Sequence, residues 1–108
     1  MRMWGLPPSN MCRKHLLGEH VEMHMFVGAI NKGKNIQGYI NKGLVDVREI
    51  ISRHDILVNE MVKRGYNHTS PLPSFNVKLT VFGEINILEN QKELNRRCKD
   101  CRAITRPT

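Results

Sequence analysis

The chain has 108 residues, of which 40% are hydrophobic, so it is long enough to form one hydrophobic core and too apolar for a disordered protein. We therefore expect a single domain spanning residues 1–108. Seventeen lysines and arginines against ten acidic residues give a formal net charge of +7, which favours a polyanionic partner such as nucleic acid. Charge alone does not distinguish DNA from RNA or from a membrane surface.

Hydropathy and cysteine content indicate the compartment. No apolar run approaches the roughly 20 residues that a membrane-spanning helix needs, and no signal-peptide pattern opens the chain. We therefore expect a cytoplasmic protein with no membrane partner. The three cysteines, Cys12, Cys98 and Cys101, are then expected to be reduced thiols.

The first predicted element is a long helix from Asn10 to about Asn31, which follows a short non-helical arm. A Pro-Pro pair prevents an earlier start, and Ser9 is a favourable N-cap residue. Apolar residues then recur at helical spacing along one stripe: Leu16, Met23, Val27 and Ile30. Gly33 fits the position just after the C-terminus of this helix.

A second helix is predicted from Asp46 to about Arg64, after a basic, glycine-rich loop over residues 31–44. Its apolar stripe lies opposite a charged face and comprises Val47, Ile50, Ile51, Leu57, Val58 and Met61. Gly65 fits the position after its C-terminus. His54 falls within the stripe, where a hydrogen-bonded core histidine is commoner than a metal ligand.

Residues 66–83 are predicted to form a long loop, in which residues 77–82 could add a short strand. A third helix is predicted from about Glu84 to Asp100, with Ile87, Leu94 and Cys98 facing inward. The predicted fold class is therefore mainly α: a compact three-helix single domain with long connecting loops and a non-helical N-terminal arm.

The arm and the first helix carry two groups suited to covalent chemistry. If the arm folds back, the α-amine of Met1, which we expect to be retained because Arg2 is bulky, can lie beside the Glu22 carboxylate. An α-amine with a pKa of about 7.7–8.0 is partly neutral at pH 7, whereas a lysine amine is protonated. An amine and a carboxylate held together form the minimal pair for imine chemistry on a sugar carbon.

The residues around this pair form a polar helix face. His15, Glu19 and Glu22 share one face of the first helix, which predicts an exposed acidic stripe. In a basic protein that faces DNA, catalysis would explain such a stripe; the alternative is an ordinary solvated face.

Two pairs of residues have metal-ligand spacing. Cys12 and His15 are separated by two residues, as are Cys98 and Cys101, and together they could form a tetrahedral zinc site with three cysteines and one histidine. The alternative is three reduced thiols without a metal. His20 and His24 lie one helical turn apart, but the sequence offers no evident third ligand, and we predict no metal there.

Four segments of the chain share their residues with one known family. They are the opening MR-x-W-x-L-x-P at positions 1–8, the first predicted helix with His15, Leu16, Glu19, Glu22, Gly28 and Ala29, and the segments MVKRGYN at 61–67 and GEINILENQKEL at 83–94. Together they resemble the pyrimidine-dimer DNA glycosylases, the family of phage endonuclease V and its bacterial relatives. The opening is similar to that of the bacterial members, and the last two segments are similar to the end of the family's second helix and the start of its third.

The resemblance implies a DNA repair glycosylase with AP-lyase activity, which excises a damaged or modified pyrimidine from double-stranded DNA. The Met1 α-amine would attack C1′ of the nucleotide, and Glu22 would act as acid and base in base loss and strand cleavage. The residues implied in DNA contact are Arg2, His15 and Arg97. Such an enzyme must flip a nucleotide out of the stack, and Trp4 could serve as the wedge or could instead anchor the arm on the core.

The resemblance implies no required cofactor, although a structural zinc ion would be compatible with it. The expected enzyme is a monomer in the cytoplasm of a bacterium or a phage-infected cell, close to the nucleoid. The chain departs from the family pattern at Val21, Met25 and Glu93, where the family has arginines. Two alternatives therefore stay open: a non-catalytic basic DNA-binding module of the same fold, and a small zinc-stabilised interaction protein with no nucleic-acid role.

Overall fold

The structure is a computed structural model that describes residues 1–68, 71–75 and 83–105. Helices account for 64% of the structure, and no strand occurs among the described residues, so the predicted mainly α fold class is confirmed. The predicted strand over residues 77–82 lies outside the described residues. No helix in the described part of the chain is long and apolar enough to cross a membrane.

The helices are numbered in chain order. They are α1 (Arg13–Asn31), α2 (Gln37–Asn41), α3 (Ile50–Lys63), α4 (Ile87–Arg97) and α5 (Lys99–Thr105). Two short 3₁₀ turns, Pro8–Asn10 and Val47–Glu49, precede α1 and α3.

The long first helix is confirmed, but it begins three residues later than predicted. The prolines hold residues 8–10 in a 3₁₀ turn, so Cys12, and not Ser9, is the N-cap residue of α1. The predicted stripe is buried at Leu16, Met23 and Val27 and half-buried at Ile30. Gly33 follows the helix with φ of +71°, the left-handed conformation that glycine adopts without a steric penalty.

The basic segment between the first two predicted helices is not a plain loop. It contains the five-residue helix α2, whose start places Ile36 and Ile40 in the hydrophobic core. A helix this short shows too little periodicity to be recognised in the sequence.

Helix α3 agrees with the second predicted helix, because Asp46 caps the 3₁₀ turn at its start and its last residue is Lys63. Gly65 follows with φ of +84°. The predicted apolar stripe is wrong at Ile51, which is 55% exposed. Helices α1 and α3 pack against each other more extensively than any other pair of described helices and form the centre of the fold.

The third predicted helix is two helices. The backbone of Cys98 is extended (φ −127°, ψ 111°), which ends α4 and starts α5 in a new direction. Leu94 is buried as predicted, but Ile87 is 51% exposed, because α4 begins at this residue after the N-cap Asn86. The break brings Cys98 and Cys101 onto the start of α1.

The N-terminal arm is part of the core. Met3, Trp4 and Leu6 are buried against α1 and α3, and burying one such side chain contributes about 1.5–3 kcal/mol. The arm turns at Gly5, whose φ of +71° strains any residue with a side chain and whose missing Cβ would collide with Ile85.

Candidate active site and metal-binding clusters

The folded-back arm that the sequence predicts is fixed by hydrogen bonds from three parts of the chain. The backbone N–H of Met3 donates to the Leu44 carbonyl at 2.6 Å. The side-chain amide of Asn90 donates to the carbonyl of Trp4 at 2.8 Å, and Arg53 donates to the carbonyl of Leu6 at 2.7 Å. The first residues are therefore held in one position over α1.

Glu19 has a structural role. Its carboxylate accepts hydrogen bonds from Arg53 at 2.6 and 2.8 Å and from the backbone N–H of Trp4 at 3.2 Å. Glu19 is only 1% exposed, so the predicted exposed acidic stripe along His15, Glu19 and Glu22 is wrong. Arg53 compensates the buried negative charge of Glu19. Because Arg53 lies on α3, this pairing could not be inferred from residue spacing along α1.

Glu22 lies half-buried on α1 beside the start of the chain. Burial raises its pKa above the ordinary value, while the positive charge of the N-terminus and a hydrogen bond from the backbone of Arg2 oppose this shift. The carboxylate thus experiences the charge of the Met1 ammonium in a partly dehydrated setting. A carboxyl group with a raised pKa exchanges protons closer to neutral pH than an ordinary carboxyl group does.

A cavity of about 440 Å³ adjoins Met1. Its wall combines apolar and cationic groups: Met25, Gly28, Ala29, Lys32, Lys34, Asn35, Ile36 and Tyr39. Two lysines and an aromatic ring next to an amine make a pocket that fits a negatively charged, partly aromatic ligand.

Arg2, Trp4 and Arg97 form one stack. The guanidinium carbons of Arg2 and Arg97 lie 4.3 and 5.3 Å from the centre of the Trp4 ring. Trp4 itself is 4% exposed, so it anchors the arm on the core, which was the alternative to a wedge in DNA. Burial and the charge of Arg97 lower the pKa of Arg2, because both guanidinium groups lie against the same ring. A phosphate would relieve this repulsion.

Exposed arginines of α4 pair within their own helix. Glu93 accepts hydrogen bonds from Arg96 at 2.6 Å and from Arg97 at 2.7 Å. These bonds lower the pKa of Glu93 to about 2. Glu93 therefore holds Arg97, whose guanidinium group lies against the Trp4 ring of the N-terminal arm.

The two pairs with metal-ligand spacing come together as one cluster, Cys12, His15, Cys98 and Cys101, with one ligand atom of each within 4.8 Å of the others. Nδ1 of His15 lies 3.3 Å from Sγ of Cys12 and 3.6 Å from Sγ of Cys101, and the sulfurs of Cys12 and Cys98 are 3.8 Å apart. Tetrahedral zinc requires sulfur–sulfur and sulfur–nitrogen distances of about 3.8 and 3.6 Å. The cluster could bind a metal with little rearrangement.

The environment of this cluster also suits a cation. The backbone N–H groups of Cys12 and Cys101 donate to the sulfurs of Cys101 and Cys98 at 3.2 and 3.4 Å. Burial, with the charges of Lys14 and Arg97, lowers the pKa of His15, so its ring is neutral at pH 7. Burial raises the pKa of the Cys101 thiol to about 12, so this thiol ionises at neutral pH only next to a cation.

A second cluster was missed by the sequence. His20 and His24, for which no third ligand was evident, meet His54 and His68. His54 is a buried, hydrogen-bonded residue of the α3 stripe, as expected, and its bond partners are Asp55 and another histidine, His20. Burial and the three neighbouring rings lower the pKa of His20 to about 4, so this ring is neutral at pH 7. The sequence did not predict this cluster, because its histidines lie on segments that are far apart in the chain and meet only in the folded protein.

Residues 1–74 match the family described as pyrimidine dimer DNA glycosylase. The chain belongs to this family. Membership in it indicates DNA glycosylase activity and a DNA substrate. No match was found among curated proteins or among solved structures.

The family match covers the arm and helices α1 to α3. Helices α4 and α5 follow it, so Cys98, Cys101 and Arg97 lie beyond the matched residues. The resemblance of segment 83–94 to the family's third helix therefore stays a prediction. The cysteine-histidine cluster joins the matched part of the chain to the part outside it.

Proposed function

We propose that this member of the pyrimidine dimer DNA glycosylase family is a bifunctional glycosylase and AP lyase that acts through the α-amine of Met1. The observation that carries the proposal is that the Glu22 carboxyl group accepts a hydrogen bond from the backbone of Arg2, the residue next to Met1, and lies close enough to the N-terminus to be influenced by its charge. The substrate is a damaged or modified pyrimidine in double-stranded DNA, and the cell compartment that follows from this substrate is the cytoplasm.

The first step joins protein and DNA. The neutral Met1 amine attacks C1′, the C1′–N bond to the base breaks, and the base leaves with the bonding electrons and takes up a proton. Loss of the amine proton and opening of the sugar ring, with protonation of O4′, then give an imine. Glu22 supports this step because its carboxylate stabilises the positive charge that develops on the sugar.

The second step cleaves the strand. Glu22 removes a proton from C2′, the C3′–O bond breaks, and the 3′ phosphate leaves with the electron pair. Water then hydrolyses the imine and regenerates the amine. One carboxylate can serve both steps, first as the counter-charge of the sugar cation and then as the base that removes the C2′ proton.

The DNA-facing surface surrounds the arm. Arg2 and Arg97 are the cations that we propose to hold phosphates beside the Trp4 ring, and Lys32 and Lys34 flank the cavity next to Met1. An extruded nucleotide would enter this cavity, with its base against Tyr39. Trp4 would position Arg2 from within the core.

We propose that the cysteine-histidine cluster binds a structural zinc ion. With four protein ligands the site would be closed, which is the arrangement of structural zinc. It would tie α5 and the end of α4 to the start of α1. His15 would act as a ligand through Nδ1, so that any contact of His15 with DNA would involve the other ring nitrogen.

Borohydride trapping on duplex DNA with an abasic site or a pyrimidine dimer tests the proposal. The wild-type chain is expected to form a covalent adduct with both substrates. Glu22→Gln is expected to lose the adduct on the pyrimidine-dimer duplex, where the base must leave before the imine can form. Reductive methylation at mildly acidic pH modifies the α-amine ahead of lysines and should also abolish trapping. Two residues appended before Met1 would move the amine by about 7 Å and should have the same effect.

A non-catalytic DNA-binding module is the second candidate. It is favoured by Val21 and Met25, which are 54% and 50% exposed beside Glu22 and replace family arginines with an apolar surface. This candidate predicts salt-dependent duplex binding without a trapped adduct. Trapping that survives both Glu22→Gln and methylation of the α-amine would refute the first proposal.

A further inference from the structure

Four histidines meet on the side of α1 that faces α3. Two come from α1, one from α3 and one from the segment after α3: His20, His24, His54 and His68. This four-histidine cluster places one ring nitrogen of each residue within 4.8 Å of the others. Neighbouring ring centres are 4.8 to 5.4 Å apart, so the rings converge on one point.

One pair of ligand atoms in the cluster already has the spacing of a tetrahedral metal site. Nε2 of His20 lies 3.2 Å from Nε2 of His54. With metal–nitrogen bonds of 2.0–2.1 Å, two ligands of a tetrahedral zinc ion are about 3.3 Å apart. We propose that the four-histidine cluster binds a divalent transition-metal ion such as Zn²⁺ through one ring nitrogen of each histidine.

A carboxylate orients one of these ligands. Nδ1 of His54 lies 3.2 Å from Oδ1 of Asp55, so the Nδ1 proton is directed at the carboxylate. Nε2 of the same ring then carries the lone pair, and this nitrogen lies inside the cluster, 3.2 Å from Nε2 of His20. Carboxylates in this position are common behind metal-bound histidines, where they fix the tautomer and raise the basicity of the ligand.

Hydrogen bonding alone does not account for the arrangement. A single N–H···N bond between His20 and His54 uses one nitrogen of each ring. Nε2 of His68 is buried and has no hydrogen-bond partner among the described residues. An unpartnered buried nitrogen is unfavourable, and coordination to a metal ion would give it a partner.

The ion would have a route from solvent and a mechanical role. A cavity of about 580 Å³ is lined by His54, His68 and residues 71–74 and opens beside the cluster. His20 and His24 each lie two residues from Glu22, which is about 200° around the helix, so they face away from the candidate active site. A closed site there would hold α1 against α3 from behind and leave Glu22 accessible.

Metal content measured on the full chain tests the proposal. The protein is purified from zinc-supplemented medium, and zinc per chain is determined for the wild type, the double variant His24→Gln/His68→Gln, and the control Asn67→Ala. Both substituted histidines are only half-buried, so the double variant should fold. We expect one zinc ion fewer per chain in the double variant and no loss in the control.

Wild type and double variant both keep the cysteine-histidine cluster, so a difference in zinc content between them reports on the four-histidine cluster alone. Melting temperatures in excess chelator should match between wild type and double variant, because the site is then empty in both. Equal zinc content in the two proteins would overturn the proposal and leave a purely hydrogen-bonded histidine cluster.

Cobalt gives a second test that needs no variant. Co²⁺ bound by nitrogen alone has weak d–d absorption without the sulfur-to-cobalt charge-transfer band of a thiolate site. We expect titration of the wild-type chain to add one equivalent with this nitrogen-only spectrum. A titration that shows thiolate-bound cobalt alone, or no bound cobalt, would refute the four-histidine site.

Discussion

The ion pair between Glu19 and Arg53 provides the sharpest test of how the arm is held. The two side chains are 0% and 7% exposed, and the pair also bonds the backbone of the arm at Trp4 and Leu6. Glu19→Gln removes the negative charge but keeps the shape of the side chain. It leaves the Arg53 guanidinium buried without a counter-charge and weakens the acceptor for the Trp4 N–H.

The expected cost follows from this burial. Breaking a buried ion pair by removing one partner costs about 3–5 kcal/mol. At about 4 °C per kcal/mol for a domain near this size, the melting temperature should fall by about 12–20 °C. Replacing Arg53 by Met in the Glu19→Gln background should recover part of this loss, because the uncompensated charge is then removed.

Thermal unfolding followed by circular dichroism measures the effect, and Glu93→Gln is the matched control. Glu93 also pairs with two arginine groups, but these arginine side chains are 71% and 45% exposed. Solvent screens exposed pairs strongly, so the control should shift the melting temperature much less than Glu19→Gln does. Equal shifts for Glu19→Gln and Glu93→Gln would refute the reasoning.

Three further predictions concern the proposed chemistry. The pKa of Glu22 is raised in the folded protein, so ionisation of this carboxyl group destabilises the fold at pH values above its pKa. In thermal scans, Glu22→Gln should therefore raise the melting temperature at pH 8 and leave it unchanged at pH 4. Cys101→Ser should remove one zinc ion per chain by metal analysis and lower the melting temperature. Arg97→Gln should reduce the salt slope of duplex binding by about 1, as measured by fluorescence anisotropy.

The helical framework could be predicted because it depends on local pattern. The apolar repeats of α1 and α3, and the glycines that follow them, lie within one or two turns of each other in sequence. Helix α2 was missed because five residues do not establish a period. The break at Cys98 was missed because the helical pattern of charges continues across it.

The residues of the candidate sites could be predicted only where they lie close together in the sequence at a spacing typical of a known motif. The cysteine-histidine cluster consists of two short motifs, and each motif is visible by itself. Glu19 and Arg53 are separated by 34 residues, as are His20 and His54, and neither pair has a local signal. Charge spacing on α1 therefore predicted an exposed stripe, whereas long-range pairing decided which carboxyl group is buried.

The most direct measurement of the central claim is the position of the trapped adduct on the chain. After borohydride reduction on abasic duplex DNA, nuclease and protease digestion followed by mass spectrometry locates the modified residue. The account predicts that the deoxyribose remnant is attached to the α-nitrogen of Met1. Attachment to a lysine side chain, such as Lys32 or Lys34 at the neighbouring cavity, would contradict it.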